Sequence, residues 1–392
     1  MFSNNDKISP RQIKRLFIFD LFGASSLLLP AQLAKAGGIG IWSILAGTVM
    51  AGLYLWLLLF LCGQVKQDYF TYLQSCFGRL LARLLYIGYA FLGIFVCAWT
   101  AKVLSELACS TLLETKEYSV ALFLIVLLAI YGGIAGLEAR ARVYEVLFWV
   151  LAVPFLLMLL LCIRQVQPVQ WFPLFRQPGQ DSLGSFWSGA WQCFAAFLPL
   201  TFLLFLQPHL QRKKKSGRSA AEALVISGTV LAAVYLILFG IFGGKALAGE
   251  EYPVITLMGM VKIPGDFIKR MDAVMVSVWF FTLYALVASS FYYSVSLVYQ
   301  ALAVRSDFGQ SEATLEKQGV KAKCIWFFAA AVIVYASAYF FHQSLPVQEK
   351  LGELFYLLGT PFAVVVPLLA LGVFWMRGRK KVKRNGENTG QL

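Results

Sequence analysis

The sequence predicts an all-α integral membrane protein of ten transmembrane helices, arranged as a 5+5 inverted repeat with helices 1 and 6 broken. Three observations carry this expectation. Of the 392 residues, 59% are hydrophobic and 14% charged, too few charges to cover a soluble globule of this size. The apolar residues recur in blocks of about 20, the length that crosses ~30 Å of hydrocarbon as a helix. Helix breakers fall at corresponding places in the two halves, Gly23 and Pro30 in the first block and Pro199 in the sixth. Strands of a membrane β-barrel alternate in polarity, so continuous apolar runs argue against a barrel.

The ten expected spans are 14–35, 40–62, 82–108, 118–136, 143–164, 185–207, 219–244, 273–300, 323–342 and 352–376. Short polar connectors separate them, so residues 1–376 read as a single permease-like membrane domain, followed by a basic cytoplasmic tail, 377–392. Residues after the basic run Arg377–Arg384 read as disordered. The N-terminus is polar and the first apolar run is too long for a signal peptide, so no cleavable signal is expected. An even number of spans puts both termini on one side. That side collects most of the 34 Lys and Arg residues, including Lys14, Arg15, the run Arg212–Lys215 and Arg377–Arg384. Cytoplasmic loops are enriched in these residues, which places both termini in the cytoplasm. The net charge of +14 is thereby a matter of topology, and no nucleic-acid partner is expected. The seven cysteines are scattered without CxxC or metal-type spacing and read as reduced packing residues.

The first span carries the stretch Phe22-Gly23-Ala24-Ser25-Ser26-Leu27-Leu28-Leu29-Pro30. Glycine costs a helix backbone entropy and proline removes a hydrogen bond. The sixth span carries Phe194-Ala195-Ala196-Phe197-Leu198-Pro199. Inverted-repeat transporters bind substrate between such broken helices, near mid-membrane. Freed N–H groups suit a carboxylate and freed carbonyls an ammonium, so a zwitterionic amino acid would satisfy both. The candidate ligand residues are therefore Gly23, Ala24, Ser25, Ser26, Phe194, Ala195, Ala196 and Phe197, with a phenylalanine walling or gating the pocket. The competing reading is a packing seam of small residues between helices. Pro154 in the fifth span and Pro361 and Pro367 in the tenth also correspond, but the first pair is preferred because small and hydroxyl residues cluster beside its breaks.

A candidate ion or water path combines Asp20 with Tyr284, Ser289 and Ser290 of the eighth span. Charges inside spans are costly and therefore informative. Asp20 carries a proton, pairs with a cytoplasmic base, or snorkels to the interface. Lys102 and Glu106 are spaced to pair on one helix face near the outer end of the third span. Glu138, Arg140, Arg142 and Glu145 read as a cytoplasmic ion-pair cluster, and His209 and His342 fall in connectors. No metal spacing, phosphate loop or nucleophile motif occurs, so no catalytic residue, metal or cofactor is expected, and any transport would be secondary.

Several short motifs resemble those of a known family. They are Lys7-Ile8-Ser9-Pro10-Arg11-Gln12 followed by Gly23, Leu29-Pro30 and Ala34-Lys35-Ala36-Gly37, then Gly136-Leu137-Glu138 with Arg142 and Glu145. Phe172-Pro173-Leu174-Phe175, Arg270-Met271-Asp272 and Trp279 follow in order. Together they resemble the spore germination permease family, the B-type subunits of nutrient germinant receptors within the amino acid/polyamine/organocation superfamily. The resemblance implies a fold like that of leucine transporters, with spans 1 and 6 unwound. It implies a subunit that binds a small nutrient, often an amino acid, and works with an A-type membrane subunit and a C-type lipoprotein in the inner spore membrane. Where superfamily transporters often show Gly-x-Gly, this chain has Gly23-Ala24-Ser25. The alternative is a proton- or sodium-coupled secondary transporter of an amino acid or organic cation. An even span count makes a direct prediction: reporter tags fused to the two termini signal the same, cytoplasmic side, and opposite sides would refute it.

Overall fold

The computed structural model describes residues 7–65, 68–113, 117–172, 182–260, 271–303 and 312–388. Pro173–Phe175 and Arg270 of the family-like motifs lie outside these residues. The chain is helical: α1 Pro10–Ala34, α2 Gly40–Gln64, α3 Tyr69–Phe77, α4 Arg79–Leu107, α5 Tyr118–Ile163, α6 Ser182–Ala196 and α7 Phe202–Leu206. There follow α8 Lys213–Gly249, α9 Pro253–Met260, α10 Met271–Ala303, α11 Glu312–Gln343, α12 Leu345–Leu354 and α13 Thr360–Asn388. The last helix thus continues through the basic run and past Arg384 into the segment expected to be disordered. Among the described residues the only extended pairing is an isolated parallel bridge between Ile8 and Leu210.

Among the described residues eight helical segments are long and apolar enough to cross a membrane, and nine if α6 and the bent continuation after it form one span. Large apolar side chains face outward along them, among them Leu53, Trp56 and Phe91. This is an integral membrane protein. α5, at 46 residues, is about 70 Å long, more than twice the hydrocarbon thickness. It is interrupted at Gly136, whose φ of 85° only glycine adopts freely, and this lies at the turn expected between the fourth and fifth spans.

The sixth block is broken where Pro199 stands. α6 stops at Ala196, a 3-10 turn spans Leu198–Thr201, and the two pieces bend by 44°. The first block is not broken, which corrects the expectation. α1 runs without interruption from Pro10 to Ala34 with Pro30 inside it. Its start is well specified: Ser9 and Gln12 form a reciprocal capping box and Pro10 takes the first turn. Gly23 serves a close helix crossing instead of a break. A Cβ there would lie 2.8 Å from the backbone of Thr282 on α10. The hydroxyls of Ser25 and Ser26 donate back to carbonyls of Leu21 and Phe22, so they are satisfied within a continuous helix where a break was expected. A membrane helix accommodates an interior proline when neighbouring helices support it.

α1 and α10 form the centre. α1 packs along α8 and α10, and α10 along α4 and α5; α2 packs against α6 and α8. Gly23→Val therefore lowers the stability of the detergent-purified protein by about 1–3 kcal/mol, the cost of overpacking. Pro30→Ala leaves it unchanged or raises it. Thermal melting of both variants checks this, and a Gly23→Val protein that melts like the parent rules out the close crossing.

Candidate functional site

A continuous α1 presents different residues at each 100° step, and this sorts the candidate residues. Ala24, Leu28 and Gln32, four apart, lie on one face and line a cavity of about 120 Å³. Ala195, Ala196, Leu198 and Pro199 at the sixth-span break form a second wall. Phe95, Trp99 and Thr100 of α4 supply a third, and Gly352, Phe355 and Tyr356 a fourth. The last group sits where α12 passes into a wide turn at Phe355–Gly359.

Of the eight expected ligand residues, Ala24, Ala195 and Ala196 line this cavity. Gly23 is at the α10 crossing. Ser25 bonds within α1, and Ser26 also accepts a hydrogen bond of 3.1 Å from the indole of Trp279. Phe194 packs edge-on against Tyr54, and Phe197 is fully buried. The α4 and Phe355–Tyr356 walls were missed. Pro361 beside the wide turn was a signal, set aside in favour of the denser cluster of small and hydroxyl residues in the first span.

One turn toward the N-terminus on the same stripe of α1, about 6 Å along the axis, sits Asp20. It is 1% exposed, and Ser289 Oγ of α10 donates to its Oδ1 at 2.6 Å. Arg140 interacts with it electrostatically, without an ion-pair contact. Arg140 was expected in a cytoplasmic ion-pair cluster, and the structure corrects this. The other members do pair: Arg142 with Glu138, and Arg15 with Glu145 at 3.0 Å. Arg140 instead turns inward and is 6% exposed. It donates to the Ala288 carbonyl at 2.9 Å and to Tyr293 Oη at 3.5 Å, under the rings of Tyr292 and Tyr293. The helical period held the signal, because Leu137, Arg140, Ala141 and Tyr144 share the buried face of α5. Asp20 Oδ2 and Arg140 Nε have no hydrogen-bond partner among the described residues. Of the other two path candidates, Ser290 bonds back to Leu286, and Tyr284 donates to the Leu128 carbonyl at 2.9 Å. Asp20 and Ser289 are thus together, while Tyr284 faces α5.

Lys102 and Glu106 pair at 2.8 Å, as their spacing predicts, but Lys102 is buried. Glu106 also meets His342 Nδ1 at 2.8 Å, and the imidazole stacks on Tyr118. His342 lies in the last turn of α11, not in a connector. Among the described residues no cluster of His, Cys, Asp or Glu has metal-binding geometry.

The overall fold is similar to that of a solved secondary transporter. A solved structure of a Na⁺-coupled sialic acid symporter, substrate-bound and outward-open, superposes with a TM-score of 0.66 at 13% identity. The match covers 92% of this chain and 78% of that one. The sequence then specifies the family: residues 7–343 match the profile described as Spore germination protein, and the chain belongs to that family. Among its relatives, Spore germination protein B2 of Bacillus subtilis is 26% identical over 283 residues, 69% of this chain and 73% of its own length. Spore germination protein KB of the same organism is 21% identical over 389 residues, covering 97% of this chain and 98% of its own. This is a permease-like membrane protein and not an enzyme.

The cluster generates a stability prediction. Arg140→Ala removes the buried cation that acts on Asp20 and its hydrogen bond to the Ala288 carbonyl, and costs about 1–3 kcal/mol. The double variant Asp20→Asn with Arg140→Leu recovers most of that loss. Melting of the three purified proteins measures the coupling; additive losses would show that the two charges are independent.

Proposed function

We propose that this protein is the permease-like, nutrient-sensing subunit of a spore germinant receptor. The observation that carries this reading is the cavity between α1, α4 and the α6 break, set one turn from a buried charge cluster within a spore germination family member. A small nutrient enters the cavity and presses on the Ala24–Leu28–Gln32 face of α1. The same helix holds Asp20 against α10, so a shift or rotation of α1 changes the contacts around Asp20 and Arg140. Ligand energy is in this way converted into a different packing of α1, α5 and α10, which neighbouring subunits detect. The partners are an A-type membrane subunit and a C-type lipoprotein in the inner spore membrane, with both termini cytoplasmic.

Ten crossings in two inverted sets of five complete the proposal, with α5 counted as two spans meeting at Gly136 and α6 with α7 as one. Helix pairing supports it. The first span packs on the seventh, the second on the sixth and the third on the eighth, as an exchange of two equivalent halves requires. Asp20, Ser289 and Ser290 remain the candidate ion or water path.

The second reading is a proton- or sodium-coupled transporter of an amino acid or organic cation, favoured by the symporter-like fold. Within it, the fixed guanidinium of Arg140 favours a proton over sodium at Asp20, because the carboxylate already interacts electrostatically with a cation. Deletion in a spore-former separates the two. The sensing role predicts that germination to at least one nutrient is lost while vegetative uptake is normal. Normal germination to every nutrient with lost uptake would overturn it. Ala24→Phe, which fills the cavity, reproduces the deletion phenotype.

A further inference from the structure

We infer that the cavity takes an uncharged ligand, one with a stacking or apolar face and a few hydroxyl or amide groups; this rests on the reading of that cavity as the ligand site. The expectation of a zwitterion needed two broken helices, one supplying N–H groups for a carboxylate. α1 is unbroken, so its amides are committed to its own ladder. At the α6 break the supply is poor as well. The Phe197 amide donates to the Phe194 carbonyl at 3.0 Å and the Leu200 amide to the Phe197 carbonyl at 3.1 Å. Pro199 has no N–H. Among the described residues no Lys, Arg, Asp or Glu side chain lines the cavity. The nearest cation on α4, Lys102, is already paired with Glu106 at 2.8 Å. Lys350 and Glu353 line a separate open depression that shares only Tyr356 with the cavity, which leaves charge outside. A carboxylate or ammonium inside would be desolvated without a partner, and that penalises ions far more than hydroxyls.

What the cavity does offer is neutral. Phe95 and Phe355 stack with centroids 4.7 Å apart, and Trp99 and Tyr356 extend this aromatic wall. Such faces accept the C–H face of a sugar ring or the plane of a base. The Gln32 amide, the Trp99 indole N–H and the Tyr356 hydroxyl have no hydrogen-bond partner among the described residues. The Thr100 hydroxyl, which donates to the Val96 carbonyl at 2.8 Å, can still accept. Donors and acceptors without formal charge, set beside aromatic faces, recognise a neutral polyhydroxyl or amide-bearing molecule.

The test uses the full chain purified in lipid nanodiscs, with thermal stabilisation as readout. D-glucose and uridine are the uncharged probes, L-alanine and L-leucine the zwitterionic ones. At least one uncharged probe raises the melting temperature, and neither amino acid does. Gln32→Leu weakens that response about tenfold, the worth of one neutral hydrogen bond. Ala24→Phe abolishes it, and Leu28→Trp is a second cavity-filling variant should Ala24→Phe not fold. Stabilisation by an amino acid alone, abolished by the filling variants, would refute the charge rule while leaving the site in place. Stabilisation that survives both filling variants, or none from any probe, would remove the site itself and the inference with it.

Discussion

Gly23 allows α1 to lie directly against α10, and the central organisation depends on that approach. With no side chain between the backbones, Trp279 reaches Ser26 and Ser289 reaches Asp20 across the same crossing. The two hydrogen bonds lie on either side of Gly23 and fix both the rotation and the height of α1. That rotation decides which residues face the cavity. It also brings Asp20 toward the guanidinium that α5 buries. Burial of two opposite charges is weak evidence of stability, because desolvation offsets most of their attraction. Its consequence here is specificity: a rotated α1 would take Asp20 away from its hydrogen bond with Ser289.

The family-like motifs acquire physical meaning once their contacts are known. Ser9, Pro10 and Gln12 cap α1, and Gln12 and Arg15 then bond Glu145 on α5. Ile8 is tied to the segment after α7, where its amide donates to the His209 carbonyl at 2.8 Å. Gly136 supplies the kink that divides α5 and lets Arg140 enter the bundle. Conformation-setting residues of this kind act locally, so a short motif exposes them. The same holds for Pro199, whose missing N–H breaks its helix without help from elsewhere.

Gly23 was harder to read because its role depends on a partner. Glycine beside hydroxyls is compatible with an unwound segment and with a close helix crossing. Only the position of Thr282, far away in sequence, distinguishes them. Arg140 was misassigned for a related reason. Its neighbours Glu138, Arg142 and Glu145 do form surface pairs, and composition alone groups it with them. Its position one step from Ala141 on the apolar face was visible in the 3.6-residue period. The cavity walls on α4 and at Phe355–Tyr356 carry no charge, and their few neutral polar groups, Thr100, Trp99 and Tyr356, sit among apolar side chains. Apolar side chains that line a ligand site are indistinguishable, in sequence, from those that face lipid.

A sensing subunit and a transporter share the first half of this mechanism, in which a ligand changes the packing of a central helix. They differ in whether a second opening follows. The central claim common to both is that α1 is a regular helix with its Ala24 face on the cavity. Thiol labelling in membrane vesicles, with Ala24→Cys and Ser25→Cys placed in a cysteine-free chain, tests this most directly. The account predicts that Ala24→Cys reacts with a small uncharged thiol reagent and that Ser25→Cys is inert. Equal reactivity at both positions, which an unwound segment would produce, would contradict it.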